Sequence, residues 1–184
     1  MKRALFGGTF DPIHRAHVEV ARAAADAFGF DQILMIPAAN PPHKQGAATP
    51  FEHRYRMVEL ACAGDPRLVP SRAEEGLERS YSILTIERLK KDGKPLYFII
   101  GADAFADIEI WHRAKEVIAS VEFVVVSRPG HTYDIPAGAK VHRLETLHMP
   151  ISSSDIRGAI ARGEMPADIP PAVADYIRKE KLYR

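Results

Sequence analysis

Two short stretches of this 184-residue sequence combine residue types that suit chemistry on phosphate. Residues 7–17 read GGTFDPIHRAH, a pair of glycines followed by two histidines three apart. Glycines let an anion approach the backbone closely. Once a helix has begun, His14 and His17 share one face near its positive end, where N–H groups without intrahelical partners favour negative charge. Spacing alone leaves three readings open: a phosphate site, histidines on a helix surface, or a metal pair. The pattern is not H-E-x-x-H and no third ligand stands at a recognisable spacing, which weighs against the metal. Neither G-x-x-x-x-G-K-[ST] nor a G-x-G-x-x-G following a strand occurs, so the commoner nucleotide motifs are excluded.

The second stretch, residues 151–157, reads ISSSDIR and sets serines and an aspartate ahead of Ile156 and Ile160 at helical spacing. That is a capped helix start, and a serine cap with a solvated arginine would explain most of it. Arg157, however, falls in the first turn, where it opposes the helix dipole. An anion gripped by Arg157 with nearby N–H and hydroxyl groups gives it a reason to be there.

The elements that must carry these residues follow from periodicity. Residues 3–6 read as a buried strand ending in Gly7-Gly8, and Val18, Ala21, Ala24, Ala25 and Phe28 recur at helical spacing over residues 15–28. Residues 32–36 form a second apolar run, and residues 37–50, with four prolines, Asn40 and Gly46, read as a long loop. A loop of that length in a compact domain is often functional or mobile. Helical patterns are expected over 51–63, 82–91 and around 111–118, with strands near 68–69, at 96–100, at 122–126 and over 141–144. Two helices, over 154–162 and 171–181, close the chain. Apolar runs alternating with amphipathic helices predict a single doubly wound, Rossmann-like α/β domain over residues 1–184, with a parallel sheet and a C-terminal helical segment. Ligands of such sheets bind beyond the carboxyl ends of the strands where the strand order reverses.

Composition narrows the partners. With 46% hydrophobic and 27% charged residues the chain can bury one sizeable core, and a net charge of +1 supplies no global field for a nucleic acid or an anionic membrane. The single cysteine, Cys62, lies among Met57, Val58, Leu60 and Ala61 at helical spacing and reads as a buried thiol in a reducing compartment. No apolar run of about 18 residues and no leader pattern are present, so a cytoplasmic protein is expected. The oligomeric state, a homo-oligomer included, stays open.

Taken together, residues 7–17 and 151–157 resemble the signatures of the HxGH-type nucleotidylyltransferase superfamily. The resemblance extends along nearly the whole chain to bacterial nicotinate-nucleotide adenylyltransferases: GGTFDPIH, then NPPHK at 40–44, Ser80-Tyr81-Ser82, Gly101-Ala102-Asp103 followed by Trp111, and Arg128-Pro129-Gly130 occur in the order of that family. Two positions depart from it, Ala16 where glycine is usual and Ser82 where threonine is usual.

The resemblance implies transfer of the adenylyl group of ATP to nicotinate mononucleotide, with in-line displacement of pyrophosphate and no covalent enzyme intermediate. By matching positions, His14, His17 and Arg157 would be catalytic, and Gly7, Gly8, Thr9, Ser152 and Ser153 would bind ATP with them. Asn40, His43, Lys44, Tyr81, Ser82, Asp103 and Trp111 would form the acceptor site, with Trp111 stacking on the pyridine ring. Magnesium would arrive with the triphosphate. Bland readings stand beside these: Trp111 as a core or surface aromatic, Asp103 as a helix cap, His43 and Lys44 as solvated loop residues. The competing functions are nucleotidyl transfer to another phosphorylated acceptor, nicotinamide mononucleotide among them, and an inactive nucleotide-binding regulatory module.

Overall fold

The computed structural model describes residues 1–41, 49–90, 94–146 and 151–184. Its centre is one sheet of six strands, β1 (Arg3–Gly8), β2 (Gln32–Pro37), β3 (Leu68–Pro70), β4 (Leu96–Gly101), β5 (Glu122–Ser127) and β6 (Lys140–Glu145). All neighbours pair in parallel, in the order β3-β2-β1-β4-β5-β6. The helices are α1 (Arg15–Phe28), α2 (Phe51–Cys62), α3 (Ser82–Leu89), α4 (Ala102–Ala106), α5 (Ala114–Ser120), α6 (Ser153–Ala161) and α7 (Pro171–Glu180). The expected doubly wound α/β fold is thus the observed one, with the strand order reversing between β1 and β4.

The inner strands are apolar because both faces of the sheet are covered, whereas the edge strand β6 reads KVHRLE and is largely exposed. Ile33 and Met35 of β2 and Val124 of β5 point into a core shared with α1, α2, α6 and α7, where Val18, Met57, Ile156 and Val173 are buried. Leu34, Ile36, Phe123 and Val125 point the other way, into a core with Ile83 and Ile86 of α3, Phe105 of α4 and Val117 of α5. A change of polarity at any of these positions would cost one core or the other. Cys62 is buried in the first core, and burial pushes its thiol up to about 12, so it stays protonated and packs as a small apolar side chain. Among the described residues, no helix is long and apolar enough to cross a membrane.

The local departures have local causes. The helix expected around 111–118 starts only at Ala114, because Trp111 is extended (φ −68°, ψ 153°) and Arg113 is left-handed (φ 54°, ψ 43°). Sequence periodicity also missed α4 and the 3₁₀ turn over Ile108–Ile110, which at five and three residues are too short to show a face. Of the expected loop over 37–50, Pro37 belongs to β2, and residues 42–48 lie outside the described residues together with His43 and Lys44.

Candidate active site

β1 runs out into Gly7-Gly8 at the switch point, and the chain then turns sharply into α1. Phe10 takes the left-handed conformation (φ 49°), and its fully buried ring lies so close under the strand end that a Cβ on Gly8 would meet it at 2.8 Å. Gly8 therefore has no room for a side chain. Gly7 differs: a Cβ there would meet nothing within 4 Å, and its backbone borders open space. The first glycine leaves room for a ligand to approach the backbone, and the second makes room for the turn.

His14 stands at the N-cap of α1 and His17 one turn in, as the spacing predicted. Their rings stack with centroids 3.8 Å apart, and His17 is framed further by the edges of Phe10 at 5.0 Å and Phe6 at 6.3 Å. The His14 backbone N–H donates to Nδ1 of His17 at 3.2 Å. An imidazole nitrogen that accepts carries no proton, so in neutral His17 the proton sits on Nε2, which is then the ring's donor.

His14 is 4% exposed, and burial pulls its pKa down to about 4 against a weaker opposing pull from Asp168. It is thus a neutral imidazole near pH 7, and an approaching polyanion would favour its protonation. The same shift predicts a stability profile. An unfolded histidine takes up its proton near pH 6.5 and this one only near 4, so between those values the unfolded chain binds more protons and stability falls as the pH is lowered. The loss across that window is expected to reach about 1–3 kcal/mol. Denaturant melts of wild type and His14→Gln at pH 7.5 and 4.5 check it, because the wild type should lose more than the variant.

The second motif meets the first through the start of α6. Ser152 caps that helix, accepting from the Asp155 N–H at 3.1 Å while its own hydroxyl donates to Oδ2 of Asp155 at 2.6 Å. Ser153 donates its hydroxyl to the carbonyl of Pro12 at 3.0 Å, and Arg157 donates Nη1 to the carbonyl of Asp11 at 2.8 Å and Nη2 to Oγ of Ser154 at 3.2 Å. Both serine hydroxyl protons are committed to the fold, so the first-turn amides and the remaining guanidinium N–H groups are what this helix start can offer an anion.

Beneath these contacts lies a buried polar layer that the motifs gave no sign of. The carboxylate of Asp11 accepts from the Thr49 N–H at 3.3 Å and from the hydroxyl of Tyr183 at 2.6 Å, and that hydrogen bond and burial push the Tyr183 phenol up, so it remains a donor. Arg54, on α2, donates to the carbonyl of Thr9. The signal for Arg54 was present in the sequence as an arginine on the same helical stripe as Met57, Val58 and Ala61.

Two cavities flank the strand ends on opposite faces of the sheet. The larger, of about 560 Å³, lies between α1 and the ends of β4, β5 and β6 and is bordered by Ala16, Val20, Gly101, Asp103, Val126 and Arg128. Its volume is in the range of whole small-molecule ligands. The smaller, of about 150 Å³, is bordered by Gly7, Gly8, Ala38, Glu74, Ser82 and Trp111 and suits a ring. Asp103, expected beside Trp111, borders the larger cavity because Gly101 ends β4 and α4 begins at once. Tyr81, the N-cap of α3, stacks on His112 at 4.2 Å rather than bordering the smaller cavity. Asn40, expected in the acceptor site, is tied back to the neighbouring loop, its N–H donating to Oγ of Ser80 at 2.9 Å and its Nδ2 to the carbonyl of Leu77 at 3.0 Å.

Comparison with known proteins gives this geometry a context. The cytidylyltransferase-like family model matches residues 5–159. A "Probable nicotinate-nucleotide adenylyltransferase" of Solibacter usitatus is 54% identical over 187 residues, covering 100% of both chains. A protein of the same description from Leifsonia xyli is 40% identical, covering 98% of this chain and 92% of its own. Among solved structures, the nicotinic acid mononucleotide adenylyltransferase of Plasmodium falciparum complexed with NaAD superposes with a TM-score of 0.79 at 22% identity, covering 100% of this chain and 98% of that one. The same enzyme complexed with APC gives 0.77 at 21% identity, covering 99% and 96%.

Proposed function

Because the chain belongs to the cytidylyltransferase-like family, we infer that it carries out the reaction named for its full-length relatives, transfer of the adenylyl group of ATP to nicotinate mononucleotide. The products are nicotinate adenine dinucleotide and pyrophosphate. The observation that carries the reading is the pairing of a nucleotide-sized cavity between α1 and the ends of β4, β5 and β6 with a ring-sized cavity at the Gly7-Gly8 end of β1, with His17 on α1 and Arg157 bonded to the turn between β1 and α1.

ATP would occupy the larger cavity, its adenosine beside Ala16 and its phosphates over Gly7, Gly8, Thr9 and the start of α1. The acceptor's pyridine ring would lie against Trp111, bringing its phosphate to the same strand end. An oxygen of that phosphate attacks the α-phosphorus in line; the new P–O bond forms as the bond to the β-phosphate oxygen breaks, and pyrophosphate carries away the electron pair. Placement and charge stabilisation do most of such work. The Nε2 donor of His17 would meet the charge growing on the α-phosphate, and Arg157 with the amides of α6 would hold the departing pyrophosphate. Magnesium would arrive with the triphosphate and supply charge neutralisation there.

The smaller cavity also orients the acceptor. The buried carboxylate of Glu74 faces it, held by the Thr85 hydroxyl at 2.8 Å and the Ala39 N–H at 3.3 Å. A positive pyridinium ring is attracted there. Ser80 and Ser82 border the same cavity at the start of α3, whose first amides and dipole favour a negative ring substituent. A neutral amide in that place would point N–H at N–H.

Nicotinate mononucleotide is therefore expected to exceed nicotinamide mononucleotide in kcat/KM by roughly 10- to 150-fold, the equivalent of one charge-assisted hydrogen bond of about 1.5–3 kcal/mol. Steady-state rates of pyrophosphate release with each acceptor at saturating ATP check it. A ratio near one would remove the acceptor assignment and leave the adenylyl transfer standing.

A further inference from the structure

We propose that Arg54 is a positioning residue for the acceptor side of the site, fixing the gap between the turn after β1 and the wall that follows β2. Its side chain is 1% exposed, yet its recorded hydrogen bonds all go to main-chain carbonyls. Nε donates to Thr49 at 2.9 Å, Nη1 to both Thr9 at 2.8 Å and Ala38 at 2.7 Å, and Nη2 to Ala39 at 3.5 Å. Three separate chain segments, the farthest 45 positions away, converge on one planar group.

The geometry assigns each donor a consequence. Thr9 follows Gly8 at the end of β1, and Ala38 follows Pro37 at the end of β2, so a single nitrogen bridges the ends of two neighbouring strands. A further bond, from the Ala38 N–H to the Gly8 carbonyl at 2.8 Å, ties the same ends. Gly7, Gly8, Ala38 and Pro41 border the smaller cavity, so the strand ends that Arg54 holds together form one side of it. From the other side, Glu74 accepts from the Ala39 N–H and Ser80 from the Asn40 N–H. The wall is thus held by its carbonyls from α2 and by its amides from the loop that carries Glu74 and Ser80.

Packing alone does not ask for this residue. Burial disfavours the charge, pulling the pKa of Arg54 down while Asp11, Tyr183 and Glu74 oppose it, and a buried ion can often be replaced by apolar volume without loss of stability. The fork is needed because carbonyls from separate segments must be held at fixed directions, which a point charge such as lysine cannot do. This inference rests on the smaller cavity being the acceptor site.

The test is Arg54→Lys, with Arg54→Met as a second variant assayed below its melting temperature. Misplacement of a reacting group by about 1 Å costs ~10²-fold. A loss of that order in kcat/KM for nicotinate mononucleotide is expected in both variants, with a smaller rise in the KM for ATP through Thr9. Val58→Ala, a core truncation on the same helix that touches none of these carbonyls, should lower the melting temperature and leave both KM values alone. Trp111→Ala separates the two levels of the claim. If it raises the acceptor KM while the Arg54 variants change only melting temperature, the positioning role is overturned and the cavity assignment stands. If Trp111→Ala leaves the acceptor KM unchanged, the cavity assignment fails first.

Discussion

His17→Ala is expected to lower kcat by ~10²–10³-fold while changing the KM for ATP by less than about ten-fold. The reason lies in how the ring is held. His17 is stacked on His14 and accepts the His14 N–H through Nδ1, so its orientation and its Nε2 donor are set before substrate arrives. A preorganised donor of this kind acts where charge grows during the reaction and hardly at all on the ground state. His17→Asn, which keeps a donor on a shorter side chain, should fall between wild type and alanine. Pre-steady-state and steady-state pyrophosphate release measure both. A His17→Ala enzyme with half the wild-type kcat would remove His17 from the chemistry and leave it as a packing partner of Phe10.

Arg157→Ala is expected to reduce kcat/KM in the forward direction on the order of 10²–10³-fold, a loss typical of removing a donor that steadies transition-state charge. In the reverse reaction the KM for pyrophosphate should rise more than that for the dinucleotide if, as proposed, the guanidinium holds the leaving group. The side chain also fastens α6 to the turn before α1 through the carbonyl of Asp11, so a drop in melting temperature is expected too. Arg157→Lys keeps the charge but cannot reach Asp11, Ser154 and an anion together, and should recover only part of the rate. Equal changes in the two reverse KM values, or a fall in melting temperature with unchanged rates, would make Arg157 a brace alone.

The serines of the ISSSDIR motif illustrate how far a motif can be read. Their presence at a helix start was legible, because capping chemistry is local and involves residues two or three apart. Where their protons go was not, since Ser153 donates to Pro12, 141 positions away in sequence. The charge state of His14 is a similar case. Two histidines near a helix start look like a cationic clamp, yet burial of the first keeps it neutral.

What the sequence determined by itself is the succession of the strands and the longer helices, the parallel doubly wound architecture, and the two motifs that meet at its switch point. These follow from apolar periodicity, glycine placement and capping, all of which act over a few residues. Tertiary structure alone decided that Asp103 and Trp111 border different cavities, that Asn40 is tied back to the loop at Leu77 and Ser80, and that Arg54, Asp11 and Tyr183 form the layer beneath the strand ends. The physical reason is that a buried polar group must find its partners wherever the fold brings them. Tyr183 reaches Asp11 across 172 positions and Arg54 reaches Thr9 across 45, distances at which no local pattern in the chain announces the contact.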